Sequence, residues 1–122
     1  MDKITLKNMK FFAYHGVLPE EQINGQNFFI DVEMFADVKK AGKTDELEDT
    51  VNYGAVFGIV ESVAKNNKFR LIEKLADSIS REILSSYKII NRTIVRVRKP
   101  DAPIDGEFDW AEVEVERIRD DL

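Results

Sequence analysis

The plainest signal in this chain is alternation. From Asn27 to Val38, the residues Phe28, Ile30, Val32, Met34, Ala36 and Val38 take every second position, with Phe29, Asp31, Glu33, Phe35 and Asp37 between them. Side chains two apart share one face of a strand, so the stretch predicts a half-buried strand. Thr93 to Lys99 repeats the pattern, with Val95, Val97 and Lys99 on one side and Ile94, Arg96 and Arg98 on the other. Pro100 ends it, having no N–H to give to a ladder. Trp110 to Ile118 sets Ala111, Val113 and Val115 against Glu112, Glu114 and Glu116. Ile4 to Tyr14 starts in phase with Ile4 and Leu6, then slips near Asn8 to Met9, Phe11 and Ala13. Such a slip predicts a β-bulge.

Between the second and third strands the period lengthens. Val56, Phe57, Val60, Val63 and Ala64 recur at three- and four-residue steps, as do Leu71, Ile72, Leu75, Ala76, Ile79, Ile83 and Leu84. Both runs predict amphipathic helices facing a core. Thr50 or Asn52 can cap the first, Asn66–Asn67 closes it, and Asn91 marks the exit from the second. Three stretches read as irregular: Tyr14 to Gln26, long enough to suggest a function, the polar Lys39 to Asp49, and Asp101 to Asp109 with Pro103 and Gly106.

The order strand, strand, helix, helix, strand, strand predicts an α+β domain, a four-stranded antiparallel sheet with both helices on one face. The uncovered face carries Asp31, Glu33 and Asp37, then Arg96 and Arg98, then Glu112, Glu114 and Glu116. Acid and base alternate across neighbouring strands there, so the face is expected to be wet but internally paired. Two sheet edges stay open, a liability that closure into a ring with other copies would remove.

Composition narrows the function. A length of 122 residues, 43% of them hydrophobic, suits a single domain spanning 1–122 with a real core. Lys and Arg number 18 against 23 Asp and Glu, a net charge of -5 that argues against nucleic-acid binding. No cysteine and one histidine, His15, leave no thiolate or multi-histidine metal centre within one chain. Neither a metal nor a cofactor is expected. Without a signal peptide's apolar run or a membrane-length segment, a soluble cytoplasmic protein is expected. Lys99 carries the one chemical suggestion: following Val95 and Val97 onto the packed face, it would sit partly out of water, where a lysine pKa falls towards proton-transfer range. The alternative is a lysine that snorkels to solvent at the strand's end.

Five segments in order and spacing resemble the dihydroneopterin aldolase family over essentially the whole chain. They are Phe12-Ala13-Tyr14-His15-Gly16, Glu21 with Gly25-Gln26, Asp49-Thr50-Val51-Asn52-Tyr53-Gly54, Leu71-Ile72-Glu73-Lys74-Leu75-Ala76, and Lys99-Pro100. The resemblance implies a tunnel fold whose sheets close into a barrel-like ring of four, two rings stacking into an octamer with active sites at subunit interfaces. It implies a lyase of folate biosynthesis that splits 7,8-dihydroneopterin, a pterin, into 6-hydroxymethyl-7,8-dihydropterin and glycolaldehyde, usually also epimerising the substrate at its 2′ carbon.

By the same resemblance Lys99 is the general acid/base, and Tyr53 helps to protonate the enol-like intermediate. Glu73 anchors the pterin through its N3–H and 2-amino group, main-chain groups near Val51 and Ile72 complete the pocket, and Glu21 holds the substrate side chain and Lys99. Each has a plainer reading. Tyr53 can be a helix-start aromatic, Glu73 a first-turn acid suited to the helix dipole, and Glu21 a solvated charge beside Glu20. Spacing from His15 and Gly25 favours Glu21 over Glu20. Asn52 stands where many relatives carry histidine. Two rival functions are a sister epimerase acting on dihydroneopterin triphosphate, disfavoured by the acidic loop Asp101 to Glu107, and a non-catalytic interaction domain.

Overall fold

A computed structural model describes residues 1–122. Four antiparallel strands, β1 (Asp2–Ala13), β2 (Gln26–Ala36), β3 (Arg92–Lys99) and β4 (Ala111–Ile118), pair in sequence order. Two long helices, α3 (Tyr53–Lys65) and α4 (Ile72–Ser86), lie over one face; two short ones, α1 (Pro19–Asn24) and α2 (Lys39–Thr44), fall in the connections. The expected order of strands and long helices is therefore observed. The short helices correct the expectation of irregular chain from Tyr14 to Gln26 and from Lys39 to Asp49, where a 3-10 turn (Leu47–Asp49) follows α2. Six residues are too few to reveal a helical period, so pattern reading had nothing to detect there.

The bulge falls where the phase slips. Leu6 pairs with Val32 and Met9 with Ile30, so Lys7 and Asn8 together oppose Asp31. Asn8 takes a left-handed conformation (φ 59°), which asparagine tolerates better than most residues, and its N–H donates to Asp31 Oδ1 at 2.8 Å. The insertion turns Met9, Phe11 and Ala13 inward to join Phe28, Ile30, Val32 and Met34 in the core. Against these pack Val56, Val60, Val63 and Ala64 of α3 and Leu75, Ala76, Ile79, Ile83 and Leu84 of α4.

Asn52 is the cap of α3, its side chain accepting from the Ala55 N–H at 3.2 Å. At the other end the Asn67 amide donates to the Val63 carbonyl at 2.9 Å. Phe57 and Leu71 depart from the expected core: Phe57 sits at its margin against the Phe11 ring, centroids 5.3 Å apart, and Leu71 stands outside the first turn of α4.

The outer face of the sheet pairs charges as expected but is drier. Arg98 grips Asp31 with both Nη groups (2.6 and 2.8 Å), while Arg96 holds Glu33 and, at 2.6 Å, Glu114. Asp31, Glu33 and Arg98 are buried. Burial alone pushes the Asp31 carboxyl up, but Arg98 and the Asn8 N–H more than offset it and hold the group below its ordinary value. Asp37 lies past the end of β2 and bonds the Lys39 N–H instead. No helix is long and apolar enough to cross a membrane.

Candidate active site

The register of β3 decides where Lys99 goes. Val95 and Val97 are fully buried, and two residues further on Lys99 keeps the same inward face and is only 9% exposed. It does not snorkel: its ammonium forms an ion pair with Glu21. Glu21 is the third residue of α1, where its Oε1 accepts the Leu18 N–H at 3.2 Å and caps the helix start. Its Oε2 accepts from the Gln26 amide at 3.0 Å. Burial raises the carboxyl, but bonds from Lys99, Leu18 and Gln26 prevail and keep it ionised below its usual range. Glu20, the neighbouring candidate, is exposed. Gly16 lies against this carboxyl so closely that a Cβ there would overlap Glu21. Beside the pair opens a depression of about 350 Å³, bordered by Phe12, Glu20, Glu21, Asn24, Gln26 and Asp101.

Ile72 and Glu73 begin α4, with the Glu73 side chain exposed. The preceding segment is tied to the Glu21 loop, since the Gly16 N–H donates to the Phe69 carbonyl at 2.9 Å. Glu73, Glu21 and Lys99 therefore share one end of the molecule. Tyr53 and Val51 do not. The short link from Lys65 to Ile72 makes α3 and α4 antiparallel. The start of α3 accordingly sits by the end of α4, where Thr50 and Asn52 border a depression with Ser86 and Tyr87. A rise of about 1.5 Å per residue puts that end about 20 Å from Glu73. Tyr53 is 61% exposed there and Val51 is buried. Within one chain the expected site residues form two separate groups.

Gln26 is a part of this arrangement to which the sequence attached no role. Its spacing from Glu21 was visible, but a loop position says nothing about what the amide meets. No group of three or more His, Cys, Asp or Glu side chains is placed to hold a metal ion.

Fold and geometry define the class: a small α+β domain with a buried lysine paired to a half-buried carboxylate beside an open polar depression. A model of the dihydroneopterin aldolase family matches residues 4–116. The dihydroneopterin aldolase of Streptococcus pyogenes serotype M6 is 40% identical over 98% of this chain and 100% of that protein. The Bacillus subtilis (strain 168) enzyme of the same name is 36% identical over 96% and 98%. Among solved structures, E. coli dihydroneopterin aldolase in complex with neopterin superposes with a TM-score of 0.88, at 26% identity, covering 96% of this chain and 99% of that one. The chain belongs to the dihydroneopterin aldolase family, and the activity that goes with it is a lyase's.

Proposed function

We propose that this chain cleaves 7,8-dihydroneopterin by metal-free retro-aldol chemistry, with Lys99 moving the protons, in the cytoplasm as a step of folate biosynthesis. The observation that carries this reading is the inward Lys99, held by a carboxylate that is itself fixed by Gln26 and the Leu18 N–H. A base takes the proton of the 2′-hydroxyl, the adjacent C1′–C2′ bond breaks, and glycolaldehyde leaves. The bonding pair passes into the conjugated imine of the dihydropterin ring, giving an enol-like intermediate. A proton delivered to C1′ completes the hydroxymethyl product, so the proton removed is balanced by the one returned. The substrate ring is the electron sink, and the protein has to supply only positioning and proton transfer.

Glu21 orients Lys99 and meets the substrate's side chain. Glu73, exposed at the start of α4, accepts the pterin N3–H and 2-amino group, a bidentate match with real selectivity. The backbone at Ile72 lies beside it. Tyr53, about 20 Å away, reaches the reacting carbon from a second copy whose main-chain groups near Val51 complete the pocket, which makes the site an interface product of a closed ring and a stacked octamer. The open edges of β1 and β4 favour such closure. Neopterin in the E. coli relative supports a pterin as the ligand class. The acidic border of Glu20, Glu21 and Asp101 repels a triphosphate and favours dihydroneopterin itself.

Incubation with 7,8-dihydroneopterin in EDTA, followed by chromatography, tests the chemistry. Wild type is expected to yield 6-hydroxymethyl-7,8-dihydropterin, and folded Lys99→Ala almost none. Borohydride trapping of a covalent adduct at Lys99 would replace acid/base catalysis with a Schiff base. Turnover only of dihydroneopterin triphosphate would move the chain to the sister epimerase. The second copy is tested by co-refolding Lys99→Ala with Tyr53→Phe. Random assembly restores about a quarter of the sites if the two residues come from different subunits, and none if they come from one.

A further inference from the structure

His15 is fully buried, has no role in the proton transfers above, and uses both ring nitrogens. Nε2 lies 2.8 Å from the Ala64 carbonyl at the end of α3, and Nδ1 lies 3.0 Å from the Phe69 main-chain nitrogen, 54 residues further along the chain. These partners settle the tautomer. A carbonyl can only accept and an N–H can only donate, so Nε2 carries the hydrogen and Nδ1 has a free lone pair. An imidazolium would lose the second bond. Burial, with Lys99's charge nearby, favours the neutral ring, although the Ala64 bond opposes them. The ring stacks on Phe69 (5.5 Å, 17°) and meets Phe28 edge-on (5.3 Å, 72°), so it cannot swing without opening the core.

The next residue repeats the attachment, as the Gly16 N–H donates to the Phe69 carbonyl. Both backbone polar groups of Phe69 are thus held by two consecutive residues of the loop after β1. No regular structure joins that loop to the chain between α3 and α4. The loop touches Glu21 through Gly16, and Phe69 lies four positions before Glu73.

We infer that His15, as its neutral Nε2–H tautomer, is a positioning residue that clasps the pterin-anchoring start of α4 to the loop holding the Glu21–Lys99 pair. The inference rests on the roles given above to Glu73, Glu21 and Lys99. It predicts an effect on ligand placement: losing the clasp lets Glu73 drift relative to Lys99, which raises KM, whereas simple loss of folded protein lowers apparent kcat and leaves KM alone.

Three measurements on the assembled protein test this. Being the chain's only histidine, His15 gives a single imidazole signal after ¹⁵N-histidine labelling. Nε2–H with unprotonated Nδ1 near neutral pH is expected, and the opposite tautomer or an imidazolium overturns the clasp without any variant being made. His15→Phe keeps a ring and removes both bonds; it is expected to weaken neopterin binding, read by pterin fluorescence, and to raise KM by about tenfold or more, with kcat changing less. His15→Gln offers one donor and one acceptor and is expected to recover most of that loss. Unchanged binding and KM in His15→Phe, or no recovery in His15→Gln, overturns the inference. Wild type that fails to cleave 7,8-dihydroneopterin condemns the aldolase chemistry, while cleavage with an indifferent His15 condemns the clasp alone.

Discussion

Arg98 and Lys99 are neighbours on one strand, face opposite ways, and each meets a carboxylate, Asp31 buried and Glu21 half-buried. Arg98 lies on the charged face and locks Asp31 through two parallel bonds, with Asn8 of the bulge as a further partner. A guanidinium stays charged at any working pH, so this pair can hold strands together but cannot relay a proton. Lys99 lies on the packed face at the strand's last residue, and its partner Glu21 comes from a short helix beside an open depression. An ammonium can give up a proton, and the carboxylate that holds this one borders the depression. In the proposed mechanism, the same kind of contact serves as a staple on one face of β3 and as chemistry on the other. What separates them is the titratable group, an ammonium on one face and a guanidinium on the other.

The comparison can be broken by exchanging losses. Lys99→Ala is expected to lower kcat by about 10²- to 10⁴-fold, the usual range for general acid/base groups, with a small fall in stability. Glu21 would keep the Leu18 and Gln26 bonds and could recruit water from the depression. Arg98→Met is expected to do the reverse. It strands Asp31 as a buried uncompensated charge, costing about 3–5 kcal/mol in denaturant unfolding, while folded enzyme keeps most of its kcat. If Arg98→Met proves stable but inactive, the division between staple and chemistry is wrong.

A smaller effect sharpens the same contrast. Glu21→Gln keeps the shape but loosens Lys99, and a drop of about ten- to hundredfold in kcat/KM is expected. Glu21 and Asp31 both have folded-state carboxyls held below their ordinary values. Each therefore adds stability that is fully present above the unfolded-state pKa and is lost as pH falls through the folded-state one. Thermal unfolding of wild type between pH 6 and pH 3, taken as about the range where carboxylates titrate, should show stability falling with pH. Glu21→Gln should flatten part of that slope and leave the part due to Asp31. An unchanged slope would mean that the Glu21–Lys99 pair contributes nothing to the folded state.

Much of this was legible along the chain because strands and long helices repeat. Alternation placed Lys99 on the inner face, the slip at Asn8 marked the bulge, and Asn52 was a candidate cap that the fold uses. Five motif segments pointed to the family that the comparisons show. The short helices α1 and α2 were not legible, since a single turn or two leaves no period to read. Nor was the dryness of Asp31 and Glu33, because an exposed-face acid and a buried, fully paired one look alike in sequence.

The sequence by itself determined the order of strands and long helices, the inward register of Lys99 and the identity of the residues that could act. Tertiary structure alone decided their company. It seated Glu21 on Lys99, brought Gln26 onto that carboxylate, and fastened Phe69 to His15 across the chain. It also put Tyr53 at the far end of the helical layer from Lys99. The physical reason is range: periodicity reports only which way a residue faces within its own element. Which distant residue it meets depends on how loops return and how antiparallel helices lie, and those are set by packing over the whole molecule.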